Sequence, residues 1–159
     1  DLQQLVGSVG DAIIVSDANE KIVLWNPAAT RIFGYSEEEA LGRTLDMIVP
    51  DRQRHRHSEG YSKSMETGTT RYGTSLLKVP AKHKDGSTLS IAFTVGMLFD
   101  EHHKANGVVA IIRDETARFN EERALKKRIF DAFLNRSRVE VHKYSSCLLS
   151  CRCNYKRSW

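Results

Sequence analysis

A chain of 159 residues, 40% hydrophobic and 28% charged, suits one domain with a terminal extension and is long enough to bury a real core. Its net charge of +4 belongs to the end: from Arg136 onward six Lys/Arg stand against one acid, so residues 1–135 sum to −1 and offer no basic face for nucleic acid. No apolar run approaches the roughly 18 residues that span a bilayer, and Asp1-Leu2-Gln3-Gln4 lacks the basic start of a signal peptide, so a cytoplasmic domain with no membrane segment is expected.

Residues 1–10 read as a helical lead-in ending in a glycine loop. Ala12–Val15 and Ile22–Trp25 are β-rich and flank a polar turn, Asp17-Ala18-Asn19-Glu20, which makes a hairpin. Asn26-Pro27 then opens a short helix to Phe33, stopped by Gly34, and Ser36 caps a second one over Glu37–Leu41, stopped by Gly42. This order bends the chain over a sheet edge and leaves a hollow suited to a small molecule. Thr44–Val49 is a short apolar piece ended by Pro50. Asp51–Thr67 follows as one longer helix, capped by Asp51 and closed by Gly68.

Three strands come next, Thr74–Lys82, Thr88–Phe99 and Val108–Arg113, the first two joined by the Asp-Gly turn Lys84-Asp85-Gly86-Ser87. Ile91, Phe93, Val95 and Met97 share one face at period two. From Thr116 to Leu134 an amphipathic helix carries Ala117, Ala124, Leu125, Ile129, Phe130, Phe133 and Leu134 as its apolar stripe. Beyond Asn135 no period holds, and residues 136–159 read as a disordered or vector-derived basic tail. Two strands, a helical block, three strands and a helix make an α+β fold, an antiparallel sheet with helices over one face.

In this order the parts resemble a PAS domain. DAIIVSD and KIVLWNPAATRIFGYSEEEALGR match its opening, HKDGSTLSIAFTVG its central hairpin, and GVVAIIRDETARF its last strand and exit motif, Arg113-Asp114-Glu115-Thr116. The resemblance implies a five-stranded sheet in the order 2-1-5-4-3, a ligand cavity between the sheet and the longer helix, and no catalytic activity. It divides the chain into a lead-in (1–10), a sensory domain (11–115), an exit helix (116–135) and the tail. It also implies a homodimer through the terminal helices, with output through the exit helix as in bacterial two-component signalling. Asp114 and Thr116 can cap that helix and pin it to the sheet.

His57, Tyr61 and Met65 share one face of the longer helix, while His55 lies about 200° away from His57 at ~100° per residue. The string PDRQRHRHSEGY resembles the haem-binding helix of oxygen-sensing PAS kinases and haem-PAS phosphodiesterases, which makes His57 the proximal iron ligand of haem b. Leu77, Phe93, Val95, Met97, Val109 and Ile111 are the expected facing walls. The chain departs from those sensors at Leu77, where they carry an arginine that contacts oxygen. It departs again at Tyr61, four residues after His57 where they have three. The alternatives are a half-buried, hydrogen-bonded His57 beside a cavity that is empty or takes an apolar metabolite, and a ligand-free dimerisation module.

Cys147, Cys151 and Cys153 all lie in the tail, so residues 1–135 have no disulfide framework, no cysteine nucleophile and no thiol for flavin adduct photochemistry. With His142 the three cysteines are zinc donors by type, but no C-x-x-C knuckle supports a site. His83 and the pair His102-His103 read as solvated, and Trp25 as hinge packing. Neither a G-x-S-x-G elbow nor a phosphate-binding glycine loop is present.

Overall fold

The computed structural model describes the backbone of residues 1–150 and the side chains of residues 1–136. Five strands, β1 (Ala12–Asp17), β2 (Ile22–Trp25), β3 (Leu77–Lys82), β4 (Thr88–Phe99) and β5 (Ala105–Asp114), form one sheet in the order β2-β1-β5-β4-β3. Every neighbouring pair is antiparallel, as the resemblance implies. The helices are α1 (Leu2–Ser8), α2 (Pro27–Phe33), α3 (Glu37–Ala40), α4 (Arg54–Thr67) and α5 (Thr116–Ser150), with 3-10 turns at Leu45–Met47 and Asp51–Gln53. Residues 1–117 fold as one unit, and the remainder of α5 belongs to a second.

Asn26 organises the first half. Its side-chain oxygen accepts from Ala29 N–H (3.0 Å), capping α2, and from Ile13 N–H (2.9 Å) on β1. Its amide nitrogen donates to the carbonyls of Val6 and Asp11, both at 3.1 Å. One buried side chain thus joins α1, β1 and α2 with all its polar capacity in use. Trp25 is hinge packing as expected: its indole donates to Thr30 Oγ1 and to the Tyr35 carbonyl, and its ring meets Phe33 at 5.6 Å.

Gly34 ends α2 with φ +84°, and a Cβ there would lie 2.7 Å from the His83 ring, so both conformation and space require glycine. Ser36 and Glu39 form a reciprocal capping box on α3.

Four boundaries differ from the sequence reading by three residues or more. Asp51 does not cap α4; it starts a separate 3-10 turn and pairs with Arg54 at 2.8 Å. β3 begins at Leu77 instead of Thr74, and β5 begins at Ala105, three residues before Val108, where an irregularity between Leu98 and Phe99 lets the ladder continue. The last helix runs to Ser150, because no glycine or proline interrupts Thr116–Ser150. Cys151 and Cys153 lie outside the described residues, and for His142 and Cys147 only the backbone is described.

The expected latch at the start of α5 forms. Asp114 Oδ1 accepts from the Thr116 N–H (2.9 Å) and hydroxyl, while Thr116 Oγ1 accepts from the Ser90 N–H (3.0 Å) on β4. Glu115 N–H donates to the Ser90 carbonyl at 2.8 Å. Thr116, which opens α5, and Glu115 just before it are therefore bonded to the same strand that supplies Ile91 and Phe93.

A cavity between the sheet and the longer helix

The inner face of β1, β4 and β5 lies under α4 and encloses with it a cavity of about 240 Å³. Its floor is apolar: Ile14, Ile91, Phe93, Val95, Val108, Ala110 and Ile112. Leu45, Ile48 and Val49 close one side, Val79, Pro80 and Ala81 another, and α4 contributes Arg56, His57, Gly60, Tyr61 and Ser64.

Two polar clasps hold α4 over this floor. His57 Nδ1 lies 2.7 Å from Glu20 Oε1, and Ser58 Oγ donates to Glu20 Oε2 at 2.9 Å. Glu20 sits in the β1–β2 turn with φ +64°, where bonds Glu20 N–H to Asp17 O (3.0 Å) and Asp17 N–H to Lys21 O (2.8 Å) fix the turn. One turn along α4, the Tyr61 hydroxyl donates to the Asp17 carbonyl at 2.6 Å. Its single proton is then committed, so Ser16 Oγ, 2.8 Å away, donates to the tyrosine oxygen. Burial pushes the Tyr61 phenol above its usual range, and the phenol stays a neutral donor. The ring centroids of His57 and Tyr61 lie 6.4 Å apart.

Of the expected lining, His57, Tyr61, Phe93 and Val95 meet at the cavity. Met65, Leu77 and Met97 do not line it: Met65 is one turn further along α4, Leu77 starts the edge strand, and Met97 lies toward the β4–β5 turn. Val109 and Ile111 are corrected to Val108, Ala110 and Ile112. The ladder pairs Phe93 with Ile112, Val95 with Ala110 and Met97 with Val108, and directly paired residues project to the same face. Ile111, opposite Thr94, is 46% exposed on the outer face.

Among the other histidines, His55 is exposed and paired with Glu59 at 3.5 Å, and His102-His103 lies in an exposed turn. His83 departs from its solvated reading: its side chain is only 25% exposed, wedged against Gly34 beside Asp85. Among the described residues no group of three or more His, Cys, Asp or Glu could hold a metal ion, and no helix is long and apolar enough to cross a membrane. Sequence reasoning missed Glu20 and Ser16, whose partners are 37 or more residues away, and Ile14, whose inward phase is hidden in the continuous apolar run Ala12–Val15 and shows only as alternating burial in the fold.

Comparison with known proteins agrees with this architecture. The sensor protein FixL of Bradyrhizobium diazoefficiens is 32% identical over 95 residues, 60% of this chain and 19% of its own length. The oxygen sensor protein DosP of Escherichia coli is 29% identical over 106 residues, 65% of this chain and 12% of its own. The chain thus spans under a fifth of either relative. A crystal structure of a PAS domain from Colwellia psychrerythraea superposes with a TM-score of 0.63 at 25% identity, covering 72% of this chain and 93% of that one. A family model described as the PAS fold matches residues 1–114, and the chain belongs to the PAS family.

Proposed function

We propose that this domain is a sensory module in which a small molecule occupies the cavity and α5 carries the resulting change to a partner or output domain. The observation that carries the reading is the adjacency of cavity and exit. Ile91 and Ile112 face the cavity, while Ser90 and Asp114, one and two residues away, hold the start of α5. A ligand that shifts β4 against β5 by a fraction of an ångström changes the geometry of that latch. A coupling of about 1–3 kcal/mol between ligand and helix is the ordinary scale of such linkage. The domain is non-catalytic in this reading, since the floor of the cavity is largely apolar and the polar groups of His57 and Tyr61 serve the clasps.

The second half of the reading is a homodimer. Leu125, Ile129, Phe130 and Phe133 on α5 are each more than half exposed, as are Leu2 and Leu5 on α1. A second copy is the occupant these faces fit.

Haem b is the specific ligand to test. Carboxylate support of one imidazole nitrogen is the usual arrangement for a ligating histidine, and Glu20 supplies it to His57 Nδ1, leaving Nε2 for iron. When bound, haem would supply a site for a diatomic gas. The donor set fits; the volume is tight, because about 240 Å³ falls below the ~300 Å³ lower end of drug-sized pockets, and a macrocycle requires α4 to lift. The test is an absorption spectrum and native mass spectrum of the purified protein. A Soret band lost on His57→Ala establishes haem. An extractable molecule without the band keeps the sensor and discards haem. A colourless protein that co-purifies with nothing and binds no added ligand leaves only the ligand-free scaffold.

A further inference from the structure

The charge around the cavity is one-sided. Arg56 of α4, next to His57 in the chain, and Arg71 of the loop that follows both line it while remaining exposed to solvent, which puts them at its mouth. Among the described residues no aspartate or glutamate lines the cavity. Three nearby acids are already engaged, Glu20 with His57 and Ser58, Glu59 with His55, and Asp51 with Arg54 and Lys82. Neither Arg56 nor Arg71 has an ion-pair partner among the described residues.

Behind these two guanidiniums the wall is aliphatic and aromatic, with Ile14, Ile91, Phe93 and Ile112. Such an interior rewards an apolar body and rejects a charge. A guanidinium at the water boundary does the opposite: it presents paired N–H donors that match a carboxylate. We propose that the ligand of this cavity is an amphipathic monocarboxylate, its chain or ring lying on the β4–β5 floor and its carboxylate held at the mouth by Arg56 and Arg71. The inference rests on the reading that the cavity takes a small ligand, and it names the class. The volume of about 240 Å³ suits a medium-chain or single-ring acid and not a macrocycle. Because both arginines stay hydrated when the site is empty, they cost little to the free protein. Their grip on an anion weakens as salt screens it.

Calorimetric titration of the full chain with decanoate and with decanol, and hemin titration followed by absorbance, test this. Decanoate is expected to bind at least tenfold more tightly than decanol, and raising the salt from 0.05 to 0.5 M is expected to erode that preference. The double variant Arg56→Gln/Arg71→Gln is expected to lose at least tenfold for decanoate and nothing for decanol. Both positions are exposed, and an unchanged thermal midpoint verifies the fold. Arg56→Lys/Arg71→Lys, which keeps the charge without the fork, is expected to fall between. Equal binding of decanoate and decanol, or indifference of the double variant, overturns the proposal while the sensor reading stands. Hemin binding without decanoate binding does the same. If no probe binds, the sensor reading falls and takes this inference with it.

Discussion

The two sides of the helical layer are attached to the sheet by different physics. On the α2 side, Ala28, Ala29 and Phe33 have no exposure at all, and Trp25 has 2%. Small alanines let the helix approach the sheet until the aromatic rings fill the remaining space, and Asn26 fastens it from within. On the α4 side, only Tyr61 among 14 residues is buried. The rest of α4 is rich in Arg, His, Ser and Lys, so nothing draws it down onto the sheet. It is held at one edge by hydrogen bonds to Glu20 and the Asp17 carbonyl and by one from Ser16, and a cavity remains beneath. A packed helix resists movement in every direction. A helix held by few buried contacts is the one expected to open first.

The contrast makes graded predictions. Trp25→Ala is expected to cost about 3–5 kcal/mol, since it removes a large buried ring and leaves a void against Phe33. Urea denaturation measures it, and a loss below 1 kcal/mol would contradict a close-packed α2 side. Asn26→Ala is expected to cost about 2–4 kcal/mol, because it removes a cap and strands the Ile13 N–H and two carbonyls. Tyr61→Phe keeps the ring and deletes one clasp, for about 1–2 kcal/mol. Its sharper signature is local: amide exchange in α4 rises while α2 stays protected. Uniform loss of protection across both helices would show that the two sides are one cooperative unit.

The smallest expected effect concerns acid. The β3–β4 turn is bonded to the end of α2 through Lys84 N–H to Phe33 O at 2.9 Å. In that turn, hydrogen bonds from the Ser87 hydroxyl and backbone N–H, with a contribution from His83, hold the Asp85 carboxyl at about 2, below its ordinary 3.8. A folded-state value below the unfolded one means the charged form is favoured by the fold. Its contribution is complete above pH 3.8 and disappears as pH falls toward 2. The stability gap between the wild type and Asp85→Asn is therefore expected to narrow between those values. A constant gap in acid denaturation would remove Asp85 from the account.

Much of this arrangement was legible one residue at a time. Asn26-Pro27, Gly34, Ser36 and Gly68 act through their own backbone neighbours, so the hairpin, the short helices and the end of α4 could be read from local chemistry. That His57 and His55 face opposite ways follows from helical spacing, and the company of Tyr61 and Met65 marks His57 as the inward one. The phase of β5 could not be read this way. Val108 to Ile112 is apolar at every position, so alternation has no starting point, and only the pairing of Phe93 with Ile112 decides which residues reach the cavity. Glu20 was illegible for a related reason: an acid in a polar turn looks solvated until the fold sets it 2.7 Å from a histidine 37 residues away. Local sequence determined which elements exist and where they stop, because caps and turns are satisfied within a few residues. The cavity, its lining and its clasps were decided by tertiary structure, because they depend on which distant strand and turn each side chain meets.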